Sequence, residues 1–238
     1  AAAAMTLLTV FPAALTDLTR ATKALPQNPQ GWATLSAVQI VMGDYEGARK
    51  SCARLIPLSS ALAASGCLAL VGSLTGSAEK SYQSLESLLQ NAETQGEVNK
   101  AERLWAISIL GEIAERLGRR EQAEGWYKKA FEIDPDDSFL LSAYADFLIM
   151  GGRDAEVIPL LRGRENIDPL LLRLVVAEKH AKDPSFEKDR AQLAARFESE
   201  EARGESIHLR ERAIYVAHIE DKAPEALIFA KRNWEVQK

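Results

Sequence analysis

The sequence predicts an all-α protein in which antiparallel helix pairs follow one another as a solenoid. The first observation is a pattern of small and large residues between Ile107 and Pro135. Small side chains stand where helix backbones cross closely, and large ones stand where a gap must be filled. The second observation is that the pattern recurs at intervals of roughly 34 residues. The third is proline at the expected ends of second helices, Pro135 and Pro169, since proline cannot continue a helix.

The pattern that carries this prediction consists of Leu110, Gly111, Gly118, Ala123, Tyr127, Ala130 and Pro135. Its spacing resembles that of the tetratricopeptide repeat, a helix hairpin of about 34 residues. The resemblance implies a right-handed α-α superhelix and a protein-interaction role. It predicts one array over residues 1–238 with about six helix pairs, hence twelve or thirteen helices.

The N-terminal third of the chain opens with residues 1–5, which show no pattern and are set aside as an added or unassigned segment. A helix is predicted over Thr6–Leu25, with Pro26 as its stop. The first full repeat begins near Asn28, and the second, over Pro57–Gln90, follows the pattern more loosely. The first repeat is indicated by Trp32, Leu35, Gly43, Tyr45, Ala48 and Cys52.

One stretch of the second repeat has the low charge of a membrane span. No charged residue occurs between Arg54 and Glu79. A span needs about 20 predominantly apolar residues, and here serine, glycine and proline dilute the stretch. We therefore expect tightly packed helices and no direct membrane span.

The second half of the chain continues the repeats after a polar connector near residues 91–100. The fourth repeat covers Ser138–Asp168, and two less regular helix pairs follow it. Asp134, Asp136 and Asp137 invite a calcium interpretation, but the alternating ligands and distal glutamate of calcium loops are missing, so a helix cap is expected. No polar capping helix follows Trp234, and we expect either further chain or a second copy of the protein, a homo-oligomer, at that end.

The charge and the motifs of the sequence argue against nucleic-acid binding and against common enzyme classes. The net charge of −5 and the lack of basic tracts argue against nucleic acid, which requires clustered Lys and Arg. No His-Glu-x-x-His, Gly-x-Ser-x-Gly, phosphate-binding or dinucleotide motif is present. We therefore expect a non-enzymatic adaptor or scaffold without a cofactor, whose partner is a protein or peptide.

Cys52 and Cys67 are the two cysteines of the chain. They are either buried free thiols or a disulfide, and pairing is favoured because both lie equally far from a helical turn near Ser59. The run from Gly43 to Gly76 also resembles a group of bacterial repeat proteins of unassigned function. A bridge would indicate a periplasmic, exported protein, whereas free thiols would indicate a cytoplasmic one.

The alternative function is a metal-dependent protein or enzyme. His208, Glu211, Tyr215 and His218 share one helical stripe, at spacings of three, four and three. Two histidines and a glutamate are metal-ligand types. The competing interpretation is that the stripe lines a concave binding surface.

The concave groove is predicted along the first helices of the third and fourth repeats. Its residues are Trp105, Ser108, Glu112, Glu115, Phe139, Ser142 and Asp146. Lysine and asparagine, with which some relatives hold a carboxylate terminus, are missing at the matching positions. Aromatic residues offer apolar area and carboxylates favour cations, so the expected ligand is a basic segment with apolar anchors.

Overall fold

The structure, a computed structural model, describes residues 2–96, 98–203 and 209–237. Side-chain environments are described from Phe11 onward, except at Val236. Within these ranges the chain forms thirteen α-helices and no strand, which confirms the predicted all-α helical-repeat class. The helices are α1 (Ala2–Ala24), α2 (Pro29–Val41), α3 (Tyr45–Arg54), α4 (Ala61–Leu74), α5 (Ala78–Gln95), α6 (Lys100–Arg116), α7 (Arg120–Ile133), α8 (Ser138–Met150), α9 (Asp154–Leu161), α10 (Asp168–Ala181), α11 (Phe186–Ala202), α12 (Leu209–His218) and α13 (Ala223–Val236).

Two compact units contain these helices. One unit is formed by residues 11–135, which include α2 to α7, and the other by residues 136–238 together with residues 1–10. Consecutive helices pack as pairs, the first pair being α2 with α3 and the last α12 with α13. α1 begins at Ala2, so residues 2–5, which the pattern had set aside, are helical.

Glycines in the left-handed conformation join the helices of the first four pairs. They are Gly43, Gly76, Gly118 and Gly152, with φ of 74°, 85°, 72° and 68°. Residues with a Cβ rarely adopt such φ values, so glycine fits each of these tight turns. The intervals between them are 33, 42 and 34 residues, and the second is longer because α5 continues to Gln95.

The connector predicted near residues 91–100 is therefore shorter than expected. Polar residues up to Gln95 extend α5 on its solvent side, and Gly96 ends the helix at φ 70°. Only residues 96–99 separate α5 from α6. The polarity of this stretch belongs to an exposed helix end, which composition alone does not distinguish from a loop.

Side-chain caps begin several first helices. The Asp137 carboxylate accepts a hydrogen bond of 2.7 Å from the Leu140 amide at the start of α8, which confirms the cap interpretation over the calcium one. Asn28, Ser60 and Asn99 accept equivalent bonds at α2, α4 and α6.

The small residues of the repeat pattern lie where helices cross. Ala48, Ala123 and Ala130 are fully buried. A Cβ added at Gly111 would lie 3.1 Å from the ring of Tyr127, so α6 and α7 approach at the distance that glycine allows. The spacing read from the sequence therefore corresponds to real contact positions in the third pair.

A disulfide joins the first two helix pairs. Cys52 on α3 and Cys67 on α4 are bonded, with their Cα atoms 5.5 Å apart. Both are buried with Ala48, Leu55 and Val71 in one apolar cluster. Whether the protein works in an oxidising compartment stays a prediction.

No helix in the described ranges is both long enough and apolar enough to cross a membrane. The uncharged stretch, residues 55–78, is divided between the turn after α3, helix α4 and the turn that leads into α5, and most small residues of α4 are buried.

A buried charge cluster holds α9, α10 and α11 together. The guanidinium of Arg162 donates to Glu178 at 2.6 Å and to Asp189 at 2.7 Å, and both carboxylates are fully buried. Asp183 and Glu165 lie 3.8 and 3.7 Å from the same guanidinium. Lys188, an exposed residue, is 3.9 Å from Asp189. One arginine thus faces several acids, and its charge cannot neutralise them all.

The second oxygen of Glu178 and that of Asp189 have no hydrogen-bond partner among the described residues. Burial, followed by the neighbouring Asp189, raises the pKa of Glu178 to about 7, although Arg162 opposes this. A proton on Glu178 lets it donate to Asp189. The folded state therefore favours the neutral form of Glu178.

The stability of residues 136–238 should consequently fall as pH rises. Because the folded pKa of Glu178 lies above its ordinary value of 4.5, its contribution is complete below 4.5 and is lost by about pH 7. Glu178→Gln keeps an acceptor for Arg162 and supplies a permanent donor to Asp189. We expect it to raise the free energy of unfolding by about 1–3 kcal/mol above pH 7 and to flatten the decline.

Urea unfolding at several pH values between 4.5 and 8 measures this effect. The matched control is Glu198→Gln, which changes an exposed glutamate on α11 in the same compact unit. It should leave the pH dependence of the free energy of unfolding unaltered. A wild-type stability that rises over this interval, or equal profiles for wild type and Glu178→Gln, would contradict the assignment.

Removing the disulfide should destabilise residues 11–135. The bridge closes a loop with a sequence separation of 15, for which the chain-entropy model gives about 3 kcal/mol. We expect Cys52→Ala combined with Cys67→Ala to lose about that amount in urea unfolding. Wild-type protein purified under oxidising conditions should show no reactive thiol when denatured without reductant, and two reactive thiols would refute the bridge.

Candidate ligand groove

The first helices of the first three pairs, α2, α4 and α6, line a cavity of about 630 Å³. It lies entirely within residues 11–135. Its volume is in the range of small-ligand and side-chain pockets. The lining residues are Pro29, Gln30, Ala33, Thr34, Ser36, Ala37 and Ile40 of α2, Leu55 and Ser59 after α3, Ala63, Cys67 and Leu70 of α4, and Ala101, Glu102 and Trp105 of α6.

Small residues create this space. Ala33 and Ala37 are one helical turn apart on α2, and Ala63 faces them from α4. Gly66 on α4 lies directly against the indole of Trp105, where an added Cβ would be 2.6 Å from ring atom Cζ3. Glycine at position 66 therefore lets the ring approach the backbone of α4 closely, and Trp105 forms one wall of the cavity.

The polar groups of the cavity divide into engaged and free ones. The hydroxyls of Thr34, Ser36 and Ser59 each donate to a nearby backbone carbonyl, at 2.9, 2.7 and 2.9 Å. The carboxylate of Glu102 makes no side-chain hydrogen bond or salt bridge among the described residues. Among the described residues that line the cavity, Glu102 is the one with a charged side chain. The cavity wall is thus apolar with an acceptor at its edge.

Of the groove residues predicted from the sequence, Trp105 lines this cavity and is 38% exposed. Ser108 is 8% exposed, and its hydroxyl donates to the Leu104 carbonyl at 2.9 Å. Phe139 is 62% exposed on α8, in the other compact unit. Ser142 donates to the Ser138 carbonyl at 2.8 Å. Ser108 therefore offers little surface to a ligand.

The predicted acidic residues are largely neutralised by neighbours. Glu112 is 3.0 Å from Arg116, and Asp146 is 2.6 Å from the buried Arg173. Glu115 accepts a bond of 3.0 Å from the Tyr127 hydroxyl, and burial raises the pKa of this glutamate. Each of these side chains therefore presents less net negative charge to a ligand than the sequence alone implies.

The predicted stripe on α12 is described in part. His208 lies outside the described residues. Tyr215 is buried and meets Phe197 edge to face at 5.3 Å between ring centroids, while His218 is exposed beside His180. Glu211 lies 3.6 Å from Arg210. In the described ranges no group of three or more His, Cys, Asp or Glu is arranged to hold a metal ion.

Two features were missed from the sequence. His180 is 2.7 Å from Asp154, a contact between α10 and α9 with no local sequence signal. The α2 and α4 walls of the cavity were missed as well. Their signal was available, since alanine and glycine recur at helical spacing on one face of each helix.

The paired helices, left-handed turn glycines and small crossing residues define a protein built from helical-hairpin repeats. Residues 73–177 match the family model described as Tetratricopeptide repeat, which extends from the end of α4 into α10. The match covers less than half of the chain and shows that this segment is similar to tetratricopeptide repeats, as its sequence pattern predicted. A search of curated proteins gave no match to the chain.

The contact between Gly66 and Trp105 can be tested by substitution. Gly66→Ala forces the indole to shift, whereas Gly125→Ala, on α7, meets nothing within 4 Å and gains helix propensity. We expect Gly66→Ala to be less stable than Gly125→Ala by about 1–3 kcal/mol in urea unfolding. Equal stabilities of the two variants would show that the indole does not depend on glycine at position 66.

Proposed function

We propose that the protein is a non-enzymatic adaptor that binds a segment of another protein along α2, α4 and α6. Tetratricopeptide repeats are protein-interaction modules, and the match over residues 73–177 supports that general role. The observation that carries the finer proposal is the cavity of about 630 Å³ between these first helices.

Three properties of the cavity support a binding role. Stacked repeats present their first helices as a continuous surface, which is how solenoids bind extended segments. Trp105 is partly exposed there, and tryptophan is enriched at the energetically important positions of protein interfaces. The disulfide at Cys67 fixes one wall of the cavity, and fixed surfaces lose less entropy on binding.

Helix α13, at the end where a second copy of the protein was predicted to bind, has exposed apolar residues. Helix α13 exposes Leu227, Ile228 and Trp234, with 53, 58 and 64% of each residue accessible. Exposed apolar side chains of this size can support contact with another protein surface. Association of two copies through α13 stays a prediction.

Site-directed photo-crosslinking tests the adaptor proposal. A benzophenone amino acid at Ala101, which lines the cavity, should crosslink to a partner in cells of the source organism. The same group at Ala53, which is exposed on α3 and absent from the lining, is the matched control. We expect a discrete crosslinked species from position 101 and none from position 53. Equal crosslinking from both positions would place the interaction elsewhere.

A further inference from the structure

The residues that line the cavity between α2, α4 and α6 limit the kinds of side chain that it can bind. Its floor and walls are mostly methyl, methylene and indole groups, supplied by residues such as Ala37, Ala63, Leu70 and Trp105. Burying apolar surface there is favourable at about 25 cal/mol per Å². A polar side chain would find few hydrogen-bond partners there, because the hydroxyls of Thr34, Ser36 and Ser59 already donate to nearby backbone carbonyls and can only accept.

The edge of the cavity favours a cation. Glu102 lies in the first turn of α6, and its carboxylate has no partner among the described residues. The nearby guanidinium of Arg103 is already paired with Glu93. No described residue of the cavity lining is Lys, Arg or His. A ligand carboxylate would therefore meet an unpaired negative charge, whereas an ammonium or guanidinium group would be attracted to it.

We propose that this cavity binds an apolar side chain of a partner protein, with a Lys or Arg of the same segment beside Glu102. This inference rests on the proposed function and names the chemistry of the segment. The cavity spans three first helices, so it accommodates flanking backbone as well as one side chain. The indole Nε1 of Trp105 has no acceptor among the described residues and is available to a carbonyl of that backbone.

A random peptide library displayed on phage, selected on the oxidised protein, tests the inference. Enriched peptides are synthesised with a fluorophore, and their dissociation constants are measured by anisotropy at low salt. The expected peptides combine a large apolar residue with a nearby Lys or Arg. Enrichment of acidic peptides, or of none, would overturn the inference.

Two pairs of variants locate the binding. Ala37→Phe fills the cavity from an exposed helical position, and Ala53→Phe makes the same change outside it. We expect the first to weaken binding by about tenfold or more and the second to leave it unchanged. Comparable thermal unfolding of both variants is the check that each remains folded.

Charge is tested at matched positions. Glu102→Lys and Glu121→Lys both reverse a charge in the first turn of a helix, but Glu121 on α7 is outside the cavity lining. Glu102→Lys should weaken binding by about fivefold, with the loss reduced at high salt, and Glu121→Lys should not. Selected peptides that bind all four variants like wild type would refute the cavity chemistry, while peptide binding itself and the crosslinking test would still decide the adaptor proposal.

Discussion

Close approach of the two helices within a pair is the constraint on which the structure depends. It requires small residues at the crossing points, as at Ala48, Ala123 and Ala130, which are fully buried. Where a large residue faces the crossing, glycine opposes it, as Gly111 does for Tyr127. Tight pairs bury their apolar faces and keep the first helices in fixed positions. The space between α2, α4 and α6 persists because the second helix of each pair packs against the first and fixes its position.

At the cavity, small residues have the opposite effect and leave space between helices. At Gly66 a missing side chain lets Trp105 settle against α4, and at Ala37 and Ala63 short side chains leave space unfilled. In the helix pairs small residues remove space, because another helix moves in. On the first helices they create space, because no neighbouring helix occupies it. Equivalent residue types therefore stabilise the fold in one place and shape a surface in the other.

Local patterns were the most predictable part of the structure. Asp137 was recognised as a cap because the bond it makes is to a residue three positions away. The positions of Ala123 and Ala130 followed from repeat spacing. By contrast, the ion pair of Asp146 depends on Arg173, 27 residues later, and that of Asp189 depends on Arg162. Such pairings arise from tertiary packing, so counting carboxylates in the sequence overstated the acidity of the predicted groove.

The extended end of α5 has a consequence for redesign of the chain. Helix α5 has 18 residues against 10 in α3, hence lengths of about 27 and 15 Å. Its buried residues end at Leu89, so the last turn contributes nothing to the apolar core. Each repeat is stabilised mainly by its immediate neighbours. Foreign sequence grafted between Gln95 and Asn99 would therefore be carried by the scaffold without disturbing either adjoining hairpin, which makes this junction a natural attachment point for labels or an inserted domain.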